Sequence, residues 1–210
     1  MSYMFAGCLS LQELDELDIL KFNTCKVTDM SHMFEGCASL TNLQLSCFNT
    51  SNVKDMSFMF SCCYLLATLN LRYFDTSKVQ KMNNMFYCCQ VLEGLDLSNF
   101  NTNNVTNMSG MFWNCGFLTR LNVSGFVTKN VTNMSKMFAW CKSLRTLDLS
   151  SFTIDNIASL ESMFNDCYSL EKLDLSGFEE PGKPYISKSL FSGCSSLKKE
   201  NVITGYNRIK

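Results

Sequence analysis

A five-residue pattern, Met-Phe-x-x-Cys, recurs along this chain every 26 residues. Six copies that follow one another at this spacing begin at Met33, Met59, Met85, Met111, Met137 and Met163. Related copies flank them at Met4 and, with leucine replacing methionine, at Leu190. A fixed period of this length is typical of solenoid proteins, in which each repeat forms one coil and stacks on the next. The period therefore predicts broad, uniform faces that bind other molecules rather than catalyse reactions.

The repeat runs through nearly all of the 210 residues, which predicts one solenoid domain over 1–210. Regular repeats extend over about 4–197, and we expect 198–210 to form a C-terminal cap or tail. The first copy lacks the strand and corner that precede the pattern elsewhere. We therefore expect the N-terminus to be truncated within a repeat, as in a fragment of a longer array.

Charge and hydropathy argue against two classes of partner. The net charge is −1, and 18 Lys and Arg residues spread over the chain provide no basic surface for a phosphate backbone, so nucleic acid is not an expected ligand. No stretch approaches the roughly 18 consecutive apolar residues of a membrane span, so no transmembrane segment is predicted in this chain. The sequence leaves the oligomeric state open.

The repeat Cys89–Asn114 illustrates the expected local structure. The alternation in Leu95-Asp96-Leu97 predicts a short strand that pairs in parallel with the same segment of the next coil. Val105–Met108 fits either a second extended segment or the start of a helical turn, and Gly110–Cys115 is predicted to be one helical turn. The fold class expected is α/β, an elongated right-handed solenoid of about eight coils with short parallel strands and one-turn helical segments.

Apolar residues occupy the same positions in successive repeats. The strand leucines are Leu43, Leu69, Leu95, Leu121, Leu147 and Leu173. Phenylalanines predicted to fill a corner of each coil are Phe22, Phe48, Phe74, Phe100, Phe126, Phe152 and Phe178. One coil buries too little surface to fold alone, so each coil is expected to depend on its neighbours.

Eight of the twelve cysteines also form a column: Cys8, Cys37, Cys63, Cys89, Cys115, Cys141, Cys167 and Cys194. A residue repeated once per coil is most simply a small apolar side chain packed against its copies. The off-column residues Cys25, Cys47, Cys62 and Cys88 are the candidates for exposed, oxidisable thiols. No CxxC pair or histidine partner accompanies them, so neither a metal site nor a cofactor is predicted.

The consensus Leu-Asp-Leu-Ser-x-Phe-x-Thr-x-Asn-Val-x-Asn-Met-Ser-x-Met-Phe-x-x-Cys-x-x-Leu is nearly complete between Leu95 and Leu118. It resembles the 26-residue repeats of BspA-like leucine-rich-repeat surface proteins, over about residues 4–200. The resemblance implies a leucine-rich-repeat type solenoid at the cell surface or secreted. It also implies adhesion through a protein partner, such as a host or matrix protein, and provides no catalytic residues.

The central repeats depart from their own pattern at positions near the column cysteine. Two residues after it, Ser39, Ser143 and Ser169 in the outer repeats are replaced by apolar side chains in the middle ones. Because serine is accepted there, packing does not demand an apolar residue. Together with nearby aromatics these residues are a predicted protein-binding ridge: Tyr64, Leu65, Tyr87, Val91, Trp113, Phe117 and Trp140. The alternative is that the turn folds back and buries them.

Catalysis is not expected, because acid–base or nucleophilic chemistry needs unlike groups that converge in a pocket, whereas a repeat array displays like groups in rows. His32, the only histidine, occupies a position that holds Phe58, Asn84 and Gly110 in other repeats, which indicates surface variation. The sequence thus predicts a non-catalytic adhesion module. The alternative function is an intracellular or structural scaffold that mediates protein–protein interaction.

Overall fold

One phenylalanine from each repeat enters a continuous column of stacked rings in the interior. The computed structural model describes residues 1–14, 19, 21–178 and 189–205. Adjacent rings in the column have centroids 5.4 to 5.8 Å apart and planes within 1 to 9° of parallel. The rings are those of Phe5, Phe34, Phe60, Phe86, Phe112, Phe138, Phe164 and Phe191. Equivalent side chains therefore lie in register, and the predicted leucine-rich-repeat-like solenoid is confirmed.

Short parallel strands form one side of the stack. They are β1 (Glu13–Leu14), β2 (Asn42–Leu43), β3 (Gly94–Asp96), β4 (Arg120–Asn122), β5 (Thr146–Asp148), β6 (Lys172–Leu175) and β7 (Val202–Thr204). Equivalent leucines face each other, as in the pairs Leu95 with Leu121 and Leu147 with Leu173. Their alternate residues, such as Asp96 and Asp148, are exposed. The period of two in Leu-x-Leu thus produces the predicted strands.

The strands do not form one uninterrupted sheet. Three small sheets contain β1–β2, β3–β4 and β5–β6–β7. The predicted strand around Leu69 is not formed, although Leu71 is buried. A hydrogen bond of 3.2 Å from the Glu93 N–H to the Ala67 carbonyl joins this segment to the following coil, but the residue-by-residue ladder that defines a strand does not develop. The buried Leu71 therefore anchors this segment in the core, although the segment does not pair with its neighbours as a strand.

Each coil also pairs with the next at a second place in its backbone. There, unlike among the strands, the pairing continues from coil to coil without interruption. It consists of parallel bridges that join Asp29, Asp55, Lys81, Asn107, Asn133 and Ser159 in succession. Of the two alternatives for Val105–Met108, the structure has the extended segment. The neighbouring valines and methionines, including Val105 and Met108, are fully buried.

The segment predicted as one helical turn, Gly110–Cys115, is instead a run of tight turns, so this prediction is wrong. The N–H groups of Met111, Trp113 and Cys115 donate to carbonyls three residues earlier, at 3.0 to 3.2 Å. The alternate N–H groups, such as that of Phe112, donate instead to the next coil, at 2.8 to 2.9 Å. An α-helix would direct every N–H to a carbonyl four residues earlier and leave nothing for the neighbouring coil. Hydrogen bonding to the next coil therefore determines the backbone of this segment, rather than the helix that the residue spacing predicts.

Each turn run contains two residues with positive φ, four positions apart. In the coil containing Met111 these are Gly110 (φ 60°) and Asn114 (φ 61°), and each is the third residue of a hydrogen-bonded turn. A positive φ confined to that position is the type II arrangement. At Gly110 an added Cβ would lie 2.3 Å from Asn84 Oδ1, so glycine also avoids a close contact there. Elsewhere bulky side chains such as Phe58 and Trp140 take these positions (φ 57° and 62°).

Buried threonines link the coils on a third side. Thr102 is 1% exposed, its hydroxyl donates to the Val127 carbonyl at 2.9 Å, and it accepts from the Val127 N–H at 2.7 Å. The same hydroxyl-to-carbonyl bond to the next coil is made by Thr24, Thr50, Thr76 and Thr128. These hydroxyls satisfy buried backbone groups that no strand pairing serves.

The C-terminal segment predicted as a cap or tail adds a further strand where it is described. A 3₁₀ helix, Lys199–Asn201, precedes β7, and β7 pairs with β6 so that Val202 lies opposite Leu173. Val202 is buried and Ile203 is exposed. The remainder of this segment, 206–210, lies outside the described residues.

Candidate functional site

The ridge residues predicted from the sequence lie on the turn side of the central coils. Tyr64, Leu65, Phe117 and Trp140 are exposed, with Phe117 at 63% and Leu65 at 49%. The other three residues, Tyr87, Val91 and Trp113, are half-buried. In this structure the turn does not fold back over Leu65 and Phe117. These seven residues are termed the turn-side ridge below.

The tight turns determine which side chains reach this surface. Within the turn run, Met111 and Phe112 are fully buried, whereas Trp113, the second residue of the turn from Phe112 to Cys115, is half-buried. After the buried Cys115 the chain turns again, and Phe117 lies on the solvent side before the buried Leu118. The serine-to-apolar change at this position therefore alters the surface and leaves the interior unchanged.

Aromatic and cationic side chains contact one another along the ridge. The rings of Tyr87 and Trp113 have centroids 4.8 Å apart and are tilted by 44°. The Lys136 Nζ lies 4.9 Å from the Trp113 ring centroid, and the Lys142 Nζ lies 4.7 Å from that of Trp140. Such cation–π contacts contribute about 0.5–1 kcal/mol at exposed sites and hold the lysines against the rings. The ridge thus presents apolar surface with positive charge at its edge.

Two cysteines lie beside the ridge at equivalent positions of adjacent coils. Cys62 and Cys88 each take the second left-handed position of their coil, with φ 58° in both. Cys62 is half-buried and Cys88 is 7% exposed. The prediction that both are exposed thiols is therefore wrong for Cys88, which is buried and whose sulfur contacts Asn114 of the next coil. Of the other off-column cysteines, Cys25 and Cys47 are half-buried.

Hydrogen-bond donors surround both of these sulfurs. Asn114 Nδ2 donates to Cys88 Sγ at 3.2 Å, and Ser61 Oγ donates to Cys62 Sγ at 3.6 Å. A hydrogen bond to Cys62 raises the pKa of Tyr64 to about 12, and a hydrogen bond to Cys88 does the same for Tyr87. Burial raises the pKa of Cys88, while hydrogen bonds from Asn114 and Tyr87 act in the opposite direction. The sequence does not predict these hydrogen bonds. Its only related signal is that the tandem cysteines Cys62-Cys63 and Cys88-Cys89 occur at equivalent positions of two repeats.

The column cysteines are structural. From Cys37 to Cys167 they are buried, and each thiol from Cys37 to Cys194 donates to the carbonyl of the column phenylalanine in the preceding coil at 3.0 to 3.2 Å. Burial raises the pKa of Cys37 to about 11 and that of Cys141 to about 12. Cys37 and Cys141 are therefore thiols, and not thiolates, at neutral pH. Beyond the apolar packing predicted, the sulfhydryl supplies a weak donor that leucine or alanine lacks.

The exposed face of the strands carries a shallow hollow of about 550 Å³ that the sequence did not single out. It is lined mainly by β3, β4 and the residues around them, including Glu93, Asp96, Arg120 and Asn122. Asp96 Oδ1 accepts from the Ser98 N–H at 3.0 Å, and Asn122 Oδ1 accepts from the Ser124 N–H at 3.2 Å. These acids and amides thus close turns after each strand, which accounts for the polar stripe without a ligand.

His32 is part of a short aromatic stack. Its ring lies between those of Tyr3 and Phe58, with centroids 4.3 and 4.7 Å away and planes within 9° of parallel. Its Nδ1 is 2.7 Å from Glu35 Oε2. All three stacked residues take the first left-handed position of their coil. The surface variation predicted for this position therefore includes a local packing role.

Metal-binding clusters and membrane-spanning helices are both absent from the described residues. In that part of the chain, no three His, Cys, Asp or Glu side chains converge in a way that could hold a metal ion. Over the same residues, no helix is long and apolar enough to cross a membrane.

Comparison with protein families gives one match. The family model described as "Mycoplasma protein of unknown function, DUF285" matches residues 1–116 and again residues 90–205. A comparison with curated proteins returns no match.

Three solved structures are among those to which the chain is similar. A leucine-rich repeat protein from Bacteroides ovatus has a TM-score of 0.46 and 17% identity over 97% of this chain and 58% of its own. A leucine-rich cell surface protein from Faecalibacterium prausnitzii has a TM-score of 0.34 and 18% identity, over 99% and 76%. A TLR13–ssRNA13 complex has a TM-score of 0.33 and 17% identity, over 97% and 34%. The chain thus spans 58% of the length of the Bacteroides ovatus protein.

Proposed function

The chain belongs to the DUF285 family, whose model covers almost its entire length in two overlapping matches, and we propose that it is a non-catalytic protein-binding module. We place its binding surface on the turn-side ridge. The observation that carries this proposal is the exposure of Leu65 and Phe117 at a position where other coils have serine. Apolar surface that the fold does not require, rimmed by polar groups, is typical of protein interfaces.

The composition of the ridge supports a protein partner. Tyrosine and tryptophan are enriched among residues that dominate binding energy, because they bury a large area with few rotatable bonds. Tyr87 and Trp113 already contact each other, and Lys136 and Lys142 lie over the adjacent rings. Little side-chain freedom therefore remains to be lost when a partner binds.

We further propose that residues 1–210 form one domain of a BspA-like leucine-rich-repeat surface protein, at the cell surface or secreted, which adheres to a host or matrix protein. The support is the consensus between Leu95 and Leu118, which repeats in six successive coils. In cells that produce the protein, labelling of intact cells with a membrane-impermeant amine reagent should modify its exposed lysines, such as Lys142. Labelling only after lysis would contradict this location.

The alternative is an intracellular scaffold. It is favoured by the column thiols, from Cys37 to Cys194, which donate hydrogen bonds to carbonyls instead of forming disulfides, as expected in a reducing compartment. The same labelling experiment separates the alternatives, because a scaffold inside the cell would stay unmodified until lysis.

Binding is tested with the double variant Leu65→Ser and Phe117→Ser, which gives two central coils the serine found at Ser39 and Ser143. Proteins captured from host-surface and matrix extracts by the wild-type chain should be lost with this variant. The matched control is Tyr73→Ser, which removes a side chain that is 55% exposed outside the ridge and should leave capture unchanged. Equal capture by all three proteins would contradict the proposal.

The folding of these variants is checked separately. Because the replaced side chains are exposed, the free energy of unfolding should change by no more than about 0.5 kcal/mol. The circular-dichroism melting temperature of the double variant should therefore stay within about 4 °C of wild type. A large decrease would mean that the ridge is packed against the body of the protein and is not available to a partner.

A further inference from the structure

We propose that Cys62 and Cys88 form a redox-active dithiol, a modification site that joins two adjacent central coils by a disulfide. The two cysteines occupy the same left-handed position in successive coils. The Cys62 N–H donates to the Tyr87 carbonyl at 2.7 Å, so a backbone hydrogen bond joins the two coils immediately beside Cys88. This site is independent of the partner proposed for the ridge.

The spacing of the coils suits a disulfide. Equivalent residues of paired parallel segments are separated by about 4.8 Å. Disulfides form at Cα separations of about 4.4 to 6.8 Å, so the backbone need not move far. Side chains at this position do reach the adjacent coil, since Asn114, at the same position of the following coil, donates from Nδ2 to Cys88 Sγ at 3.2 Å. Repeat proteins place like residues together, but among the off-column cysteines only this pair shares one position in consecutive coils.

The two sulfurs differ in a way that assigns each a role. Cys62 is half-buried and reachable, whereas Cys88 is 7% exposed. The hydroxyls of Ser61 and Tyr64 face the Cys62 sulfur. Asn114 donates to Cys88 and holds it beside its partner. We therefore assign Cys62 as the attacking thiol and Cys88 as the resolving thiol.

The oxidant required is a small-molecule disulfide. The Cys62 thiolate attacks one sulfur of that disulfide, the bond between its two sulfurs breaks, and one small thiol leaves with a proton. Cys88, as its thiolate, then attacks Cys62 in the mixed disulfide and releases the second small thiol. The protein loses two hydrogens and two electrons, and the small disulfide is reduced to two thiols.

Other thiol pairs are less suited to this chemistry. Cys167 and Cys194 also interact, but each donates to a carbonyl of the preceding coil at 3.0 Å, and Cys167 is fully buried. Cys194 is half-buried, as Cys62 is, but oxidation of this pair would break both of these hydrogen bonds between coils. The other column cysteines from Cys37 to Cys141 have the same arrangement.

The test begins with the fully reduced, folded chain and oxidised glutathione. After denaturation, alkylation and mass spectrometry, the peptides that contain Cys62 and Cys88 should be cross-linked, and the buried column cysteines from Cys37 to Cys167 should be alkylated. Cys88→Ser should retain glutathione on Cys62, because the resolving thiol is gone. Cys62→Ser should form neither the cross-link nor a glutathione adduct on Cys88.

Control variants assign the cross-link and exclude the neighbouring sulfurs. Cys63→Ser removes the tandem partner of Cys62, and Cys167→Ser removes the competing pair, so both should still form the link. Alkylation of all twelve cysteines after oxidation of the wild-type chain would overturn the proposal. So would a cross-link that persists in Cys62→Ser or is lost in Cys167→Ser.

Discussion

At the scale of single residues, this protein uses small polar side chains to join coils where strands do not. The hydroxyl of Thr102 both donates to and accepts from the backbone of Val127, in a site that is 1% exposed. The apolar core of each coil could be supplied by many residue types, but these reciprocal bonds need a hydroxyl. Conformational specificity therefore depends on residues that contribute little to hydrophobicity.

Replacing Thr102 by valine tests this role. Valine keeps the shape but leaves a buried N–H and carbonyl without their partner, which should lower the free energy of unfolding by about 1–3 kcal/mol. The control is Thr106→Val, because Thr106 is exposed and its hydroxyl lies 3.4 Å from the Gln80 carbonyl, so the change should be about 0.5 kcal/mol or less. Urea unfolding measures both variants. Equal effects would show that the buried hydroxyl is dispensable.

Aspartates that close turns should make stability depend on pH. The hydroxyl and N–H of Ser77 hold the pKa of Asp75 below 3.8, and Ser150 does the same for Asp148. A lowered folded pKa means that the unfolded chain binds more protons in acid. The stabilisation is thus present above about pH 5 and is lost as the pH falls through the folded pKa, below 3.8.

The double variant Asp75→Asn and Asp148→Asn removes this titration and keeps the turns, because Asn101 and Asn122 close the equivalent turns in other coils. Its stability at pH 7 should be close to that of wild type. Between pH 5 and pH 3, measured by urea unfolding, wild type should lose more stability than the variant. Identical losses would mean that these carboxylates do not contribute to acid sensitivity.

At the scale of elements, the turn run has the most unusual backbone. Two left-handed residues per coil allow alternate N–H groups to bond within the coil and to the next one. For residues other than glycine this conformation costs about 1–2 kcal/mol. Lys136, Trp140 and Ser162 all bear that cost (φ 57°, 62° and 55°). Completion of the inter-coil hydrogen bonds offsets the strain.

Ser162→Gly should therefore raise the free energy of unfolding by about 1 kcal/mol, because glycine adopts a positive φ without a steric penalty. The matched control is Ser143→Gly, at a serine whose φ is not positive. There, glycine only increases the freedom of the unfolded chain and should lower stability by about 0.5–1 kcal/mol. Thermal and urea unfolding measure whether each variant raises or lowers the free energy of unfolding. Destabilisation of Ser162→Gly would contradict the role assigned to this turn.

The sequence predicts a helical turn at Gly110–Cys115, and the structure has tight turns there because the next coil competes for the same N–H groups. Val105, Met108, Met111 and Cys115 have a spacing compatible with a helix, and the sequence alone does not show that an adjacent coil offers carbonyls to the same N–H groups. The strands were predictable because Leu95-Asp96-Leu97 fits only a period of two. The gap in the sheet at Leu69 was not predictable, since its leucines match those of paired strands.

The candidate site was predictable to a similar extent. The serine-to-apolar change identified Leu65 and Phe117 because the repeats serve as internal controls for one another. The burial of Cys88 and its contact with Asn114 depend on how neighbouring coils align, which only the structure supplies. The hollow beside β3 and β4 also arises between coils, and no single repeat carries a signal for it.

At the scale of the whole molecule, stability is shared between neighbours. The column of phenylalanine rings runs from Phe5 to Phe191, and the bridges run from Asp29 to Ser159, so each coil is completed by the coils beside it. A solenoid of this kind owes its stability to interfaces between repeats as much as to the repeats themselves. Both the ridge and the Cys62–Cys88 site exist only because equivalent positions of successive coils are brought together.

The most direct test of this stacking measures distances between equivalent exposed positions. Each protein carries two spin labels attached through noncanonical amino acids, one at Thr41 and the other at either Arg145 or Glu171. The labelled positions are four coils apart in the first pair and five coils apart in the second. At about 4.8 Å per coil, the backbone separations should be about 19 and 24 Å. A distance that increases with the number of intervening coils supports the stack. Distances that do not follow coil number would contradict it.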